Sequence, residues 1–193
     1  MNNSHALHDV EEESYSKTLF GFWVYILTDF IMFATIFATY VVLQYGASER
    51  GLFHLPFTFL QTMILLFSTF TVGLAGAAAQ RKDKRTTIAL FGLTFLLGMI
   101  FMGMQLAEFN YLARSGYSWH ESAFLSAFFT LVGTHALHML FALLWVLVLI
   151  PPVLRYGLTP VSIKRLTCLR MFWQFLNIIW ILIFTIVYLM GSI

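Results

Sequence analysis

The chain has little charge and almost no cysteine. Only 10% of its 193 residues are Asp, Glu, Lys or Arg, whereas a water-soluble domain carries about 25%. Cys168 is the only cysteine, so the chain can form neither an intrachain disulfide nor a thiolate metal cluster. Because 60% of the residues are apolar, the composition excludes an ordinary soluble domain and indicates that lipid surrounds the fold.

Five apolar stretches have the ~20 residues that a helix needs to cross the hydrocarbon layer. They cover residues 19–45, 55–79, 86–111, 122–150 and 171–193, and residues 1–18 form an acidic tail before them. No stretch shows the alternation of barrel strands, so the backbone amides must be satisfied within helices. The sequence predicts an all-α integral membrane bundle of five helices in one domain, with Pro151 and Pro152 ending the fourth helix.

The basic residues are distributed asymmetrically along the chain. Nine of the eleven fall on one side of the predicted spans: Lys17, Arg81, Lys82, Lys84, Arg85, Arg155, Lys164, Arg165 and Arg170. The positive-inside rule therefore predicts a cytoplasmic N-terminus and, after five crossings, a periplasmic C-terminus. These cationic segments favour anionic lipid headgroups, and no nucleic-acid partner is needed to explain them.

Two carboxylates lie within the predicted spans. Asp29 is ~15 Å into the first helix, near the bilayer midplane, where an ionisable group costs roughly 2.5 to 3.5 kcal/mol. It could serve a proton relay, an ion site or a neighbouring lipid or subunit, or it could be a protonated carboxyl bonded inside the bundle. Glu108 shares a polar stripe with Gln105 and Tyr111 near the outer end of the third helix. That position predicts either contact with water or a bond to a neighbouring helix.

Two pairs of polar residues spaced three apart lie on the last two spans. His135 and His138 share a helix face, as do Gln174 and Asn177. A bis-histidyl haem needs imidazoles from two helices, and no other predicted span contains a histidine. We therefore expect interhelical hydrogen bonds, with Asp29, Gln174 or Asn177 as partners of the histidines, and no haem or copper site built by this chain alone.

Small residues form a stripe on the second span. Thr69, Gly73, Gly76 and Ala77 recur at helical spacing. Such stripes let helices approach closely in membranes. The stripe therefore predicts a close helix contact.

Four segments of the chain carry a resemblance to a known family. They are Phe20–Tyr25 followed by Asp29 and Tyr40, Gly103–Phe109, Ser126–His138, and Trp173–Gly191. Together they resemble subunit III of the haem-copper terminal oxidases, most closely the five-helix form found in bacterial quinol oxidases of the cytochrome bo type. The resemblance covers nearly everything after residue 18.

The resemblance implies a non-catalytic subunit of a proton-pumping quinol:oxygen oxidoreductase in a bacterial inner membrane. Haem and copper would lie in subunit I, which this chain would contact directly, with subunits II and IV in the same complex. It also implies phospholipid in a cleft between helices, and Asp29 and Glu108 supporting that cleft or proton uptake. Many members have His and Asp where this chain has Gln174 and Asn177, so the local hydrogen bonding must differ here.

Two other functions remain open from the residues alone. A small proton or cation transporter could use Asp29, Glu108 and His135, because buried acids and histidines mark ion paths in membranes. That hypothesis predicts that the isolated chain transports protons or cations. A haem-binding anchor of a membrane dehydrogenase would instead use His135 and His138, and predicts a haem spectrum that depends on them.

Overall fold

The computed structural model of the chain describes residues 2–44, 55–115 and 122–189, and within residues 2–14 it describes the side chain of Glu13 alone. The helices are α1 (Asn2–Gln44), α2 (Leu55–Gln80), α3 (Lys84–Arg114), α4 (Ala123–Tyr156) and α5 (Pro160–Ile183), and α5 is continued by a π-helical segment, π1 (Phe184–Leu189). These ranges contain no strand. The all-α prediction is confirmed, and all five helices are long and apolar enough to cross a membrane. The orientation of the termini stays a prediction.

Helix α5 lies at the centre of the bundle. It contacts α1, α2 and α4, while α3 packs between α2 and α4. In the most apolar stretch of each membrane-length helix, 56% of the residues of α5 with π1 are buried inside the bundle, but only 22% of those of α1. Helix α1 is therefore peripheral, attached to α4 and α5 along one side and apolar on its outer side.

Helix α4 continues through Pro151 and Pro152 to Tyr156, so the prediction that these prolines end it is wrong. Prolines are tolerated in membrane helices when neighbouring groups satisfy the backbone around them. In the last turn of the helix, where carbonyls have no partner within it, the Lys84 ammonium donates to the Leu154 carbonyl at 2.7 Å. The helix ends instead at Gly157, whose φ of +77° suits glycine.

Helix α5 begins at Pro160, eleven residues before the predicted start at residue 171. Thr159 precedes it as the N-cap and accepts from the Ser162 amide at 3.2 Å. Proline suits the first helical position because its missing amide would have no partner there. The basic residues of this first part, including Arg170, therefore lie on the helix and not in the loop before it.

Tryptophan indoles on α5 donate to hydroxyls on α2. Trp173 Nε1 donates to Ser68 Oγ at 3.0 Å, and Trp180 Nε1 donates to Thr62 Oγ1 at 3.1 Å. Both indoles are buried, and buried indole N–H groups require such acceptors. The two bonds fix how α5 lies along α2.

Glycines permit two close approaches to α5. A Cβ at Gly98 of α3 would fall 2.7 Å from the Trp173 ring and 2.9 Å from a Leu143 methyl. A Cβ at Gly76 of α2 would fall 2.6 Å from Arg170 Nη1. In the small-residue stripe, Gly76 therefore contacts a long side chain, whereas a Cβ at Gly73 would meet nothing within 4 Å.

Candidate functional site

Asp29 faces His138 across the seam between α1 and α4. Asp29 Oδ2 lies 3.8 Å from His138 Nε2, and each side chain is 14% exposed. The other ring nitrogen, Nδ1, lies 2.8 Å from the Thr134 carbonyl. Because a carbonyl only accepts, Nδ1 carries a hydrogen, and in a neutral ring Nε2 is an acceptor. Nε2 is thus the ring nitrogen that faces the Asp29 carboxyl.

Aromatic side chains enclose the Asp29–His138 contact. The Tyr25 hydroxyl, one turn before Asp29 on α1, faces its carboxyl. The Phe33 ring is fully buried, and its centroid lies 5.3 Å from that of His138. The acid therefore points toward α4 and away from the exposed outer side of α1.

An apolar groove of about 300 Å³ lies between α1 and α5. Its lining residues are Trp23, Ile26, Leu27, Phe30, Met171, Gln174, Phe175 and Ile178. Gln174 is the one amide among them. Of the three partners expected for the histidines, Asp29 faces His138, whereas in the described part of the chain neither histidine bonds to Gln174 or Asn177. Asn177 is buried, and its Oδ1 has no hydrogen-bond partner among the described residues.

His135 is fully buried between α4 and α5. Its Nε2 lies 3.1 Å from the Leu176 carbonyl and donates to it, and the Trp180 and Phe101 rings lie 5.1 and 6.0 Å away. The partner of His135 is thus a backbone carbonyl. Residues three apart on a helix differ by about 60° in direction, which is why His135 faces α5 while His138 faces α1.

Glu108 lies in a second polar cluster, formed where α2, α3 and π1 meet. Gln105 Nε2 donates to Glu108 Oε2 at 3.4 Å, and Gln61 and Tyr188 also face the carboxyl. Glu108 is 9% exposed and the other three are fully buried. Tyr111, which the sequence places on the same stripe, is 55% exposed. The carboxyl therefore faces α2 and π1 as well as Gln105 of its own helix.

The π-helical segment supplies Tyr188 to the Glu108 cluster. Val187 and Tyr188 are adjacent in sequence, and both are fully buried. A π-helical turn is wider than an α-helical turn and is frequent at functional sites. Tyr25, Gln61 and Tyr188 were not identified from the sequence, although a buried acid requires hydrogen-bond donors of this type.

The fold and these sites define an integral membrane protein of the all-helical, multi-pass class. Its two buried acids lie in separate clusters, Asp29 with His138 and Glu108 with two amides and a phenol. Among the side chains that the structure describes, no three of His, Cys, Asp or Glu come together as a metal site.

Comparison with known proteins identifies the family. A family model described as cytochrome c oxidase subunit III matches residues 7–192. The chain belongs to this family, and the resemblance seen in the sequence is confirmed.

Similar proteins occur in several bacteria. Cytochrome bo(3) ubiquinol oxidase subunit 3 of Pseudomonas aeruginosa is 48% identical over 189 residues, covering 96% of this chain and 90% of the relative. The protein of the same name from Buchnera aphidicola subsp. Baizongia pistaciae is 36% identical over 96% and 98% of the two chains. Cytochrome c oxidase subunit 3 of Bacillus sp. (strain PS3) is 38% identical over 90% and 86%.

Proposed function

We propose that this chain is the non-catalytic third subunit of a bacterial inner-membrane haem-copper oxidase that oxidises quinol, reduces oxygen to water and pumps protons. The observation that carries the proposal is the 48% identity to a ubiquinol oxidase subunit 3 over nearly the whole of both chains. The Bacillus relative bears the name of a cytochrome c oxidase at lower identity. The names of the relatives thus favour quinol as the electron donor.

In this proposal the redox centres lie outside the chain. Haem and copper belong to subunit I, which packs directly against this bundle, and subunits II and IV complete the complex. The apolar groove between α1 and α5 fits a phospholipid acyl chain, since it is apolar apart from Gln174. The role of the chain is to hold lipid and to stabilise subunit I.

The test is to tag the chain, extract it in mild detergent and record the visible spectrum and the subunit masses. We expect a haem-containing complex with a larger, many-helix partner. A parallel preparation from cells without the tag controls for carry-over of other oxidases. A colourless preparation of this chain alone would contradict the proposal.

The Asp29–His138 contact supports a role in proton uptake by the complex. Asn at position 29 keeps the volume and a hydrogen-bonding group but cannot exchange a proton. We expect Asp29→Asn to shorten the time over which the complex keeps its oxidase activity during turnover, and Asp29→Glu to preserve it. Unchanged activity and lifetime in both Asp29→Asn and Asp29→Leu would remove any role for this acid.

The geometry disfavours the haem-anchor hypothesis. His135 Nε2 is engaged by the Leu176 carbonyl, and His138 Nε2 faces Asp29. The two imidazoles therefore point toward different helices and cannot clamp one haem. The observation that favours a transporter is the position of Asp29 in a membrane-length helix, with its Oδ2 3.8 Å from His138 Nε2. Proton flux into liposomes containing only this chain, abolished by Asp29→Asn, would support that alternative.

A further inference from the structure

Arg170 is a cation within a membrane-length helix. It lies ten residues after Pro160 on α5, which is ~15 Å along the helix. Its side chain runs across Gly76 of α2, and a Cβ there would fall 2.6 Å from Nη1 and 2.7 Å from Cδ. The absence of a side chain at Gly76 thus gives the arginine its place at the seam between α2 and α5.

No acid in the described part of the chain neutralises this arginine. Its Nε is enclosed and has no hydrogen-bond partner there. The two described ion pairs join Lys17 to Glu13 and His138 to Asp29. Arg170 is only partly buried, so an anion can reach it from outside the bundle. An anion bound there would neutralise the arginine.

The surroundings of Arg170 are basic. Gly76 lies four residues, ~6 Å, from the end of α2, where the turn into α3 carries Arg81 and Lys82. The acid of this turn, Asp83, is already engaged as the N-cap of α3 by Thr86. The described side chains at this end of the bundle therefore leave an excess of positive charge.

We propose that Arg170 binds the phosphate of an anionic phospholipid at the seam between α2 and α5. A planar guanidinium can bind phosphate oxygens through two parallel hydrogen bonds. Basic pockets between membrane helices are typical sites for anionic headgroups. Gly73, one turn from Gly76 toward the centre of the bundle, leaves open space beside the seam for an acyl chain. The proposal deepens the lipid-holding role given above and rests on it.

The first experiment counts lipids on the intact complex by native mass spectrometry. Arg165→Gln is the matched control, since it removes the same charge from an exposed position on the same helix. We expect Arg170→Gln to lose one anionic phospholipid per complex, and Arg165→Gln to keep it. An unchanged lipid count in Arg170→Gln would overturn the proposal, because the partner would then be a carboxylate of the acidic tail or of a neighbouring subunit.

If the complex does not assemble with Arg170→Gln, two further variants still test the proposal. Arg170→Lys keeps the charge but loses the planar guanidinium, and Gly76→Leu displaces the arginine without changing any charge. Both should hold the lipid less tightly than the wild type as detergent washing is extended. Retention equal to the wild type in both variants would overturn the proposal.

A lipid-exchange experiment separates a phospholipid from a free anion. The delipidated complex is placed in nanodiscs of phosphatidylcholine, with or without phosphatidylglycerol, and its melting temperature is measured. Phosphatidylglycerol should raise the melting temperature of the wild type and of Arg165→Gln, but not that of Arg170→Gln. An equal rise with inorganic phosphate at matched ionic strength would overturn the lipid assignment. The haem spectrum and subunit masses of the same samples report on the proposed function independently of the lipid count.

Discussion

The contact between Gly98 and Trp173 gives the sharpest test of the packing. A Cβ at Gly98 would fall 2.7 Å from the Trp173 ring. Ordinary contacts begin near 3.4 Å, so the ring must move by at least 0.7 Å. The indole has little freedom to move, because it is buried and donates to Ser68. Overpacking of this kind costs about 1 to 3 kcal/mol.

Replacing glycine by alanine also favours the helix itself, by up to about 1 kcal/mol. Gly103→Ala is therefore the control, since it lies on the same helix and its new Cβ would meet nothing within 4 Å. We expect Gly98→Ala to be less stable than Gly103→Ala by about 1 to 3 kcal/mol, the cost of overpacking. The free energy of unfolding in mixed detergent measures this difference.

A double mutant identifies the clashing group. Trp173→Phe removes the part of the ring that a Cβ at Gly98 would meet, so Gly98→Ala should cost less in a Trp173→Phe background. The coupling free energy from this cycle should be a large part of the single-mutant cost. Equal stability of Gly98→Ala and Gly103→Ala, or zero coupling, would refute the packing described here.

Two other substitutions test individual bonds. Ser68→Ala removes the acceptor of the Trp173 indole and should cost about 0.6 to 1.7 kcal/mol, the average and the maximum measured for interhelical hydrogen bonds in membranes. Ser126→Ala, whose hydroxyl makes no described bond to another helix, should be nearly neutral in the same unfolding assay. The hydrogen bonds from Thr86 lower the pKa of Asp83. The ionised carboxylate therefore stabilises α3 fully above the ordinary carboxyl pKa. This stabilisation is lost as pH falls through the lowered pKa of the folded state. Melting curves should therefore show a loss of stability in acid that is smaller in Asp83→Asn, and parallel pH profiles for the two proteins would contradict this.

The number and type of the helices could be predicted from the sequence because hydropathy and length decide them. The start of α5 was missed because charged residues at its beginning lower the hydropathy, although Thr159 followed by Pro160 is a recognisable helix start. The continuation of α4 through Pro151 and Pro152 was missed because prolines are tolerated in membrane helices when surrounding groups satisfy the backbone. No local sequence pattern marks that tolerance.

The polar residues could be found from the sequence, but their partners could not. His135 bonds to a backbone carbonyl, which every residue possesses, so no side chain indicates the pairing. The side chains of His135 and His138 differ by about 60° in direction, so they contact different helices although a spacing of three residues places them on one broad face. Gln61 and Tyr188 come from distant parts of the chain, and only the packing of α2 against π1 brings them to Glu108.

Three contacts between α2 and α5 are spaced along the two helices. Along α2 they occur at Thr62, Ser68 and Gly76, and along α5 at Trp180, Trp173 and Arg170. Two rigid bodies joined at one point can still rotate about it, whereas bodies joined at two separated points can neither rotate freely nor slide. The α2–α5 pair should consequently behave as a single rigid unit, and the slow motions of the subunit should be concentrated in α1, which is attached along one side only.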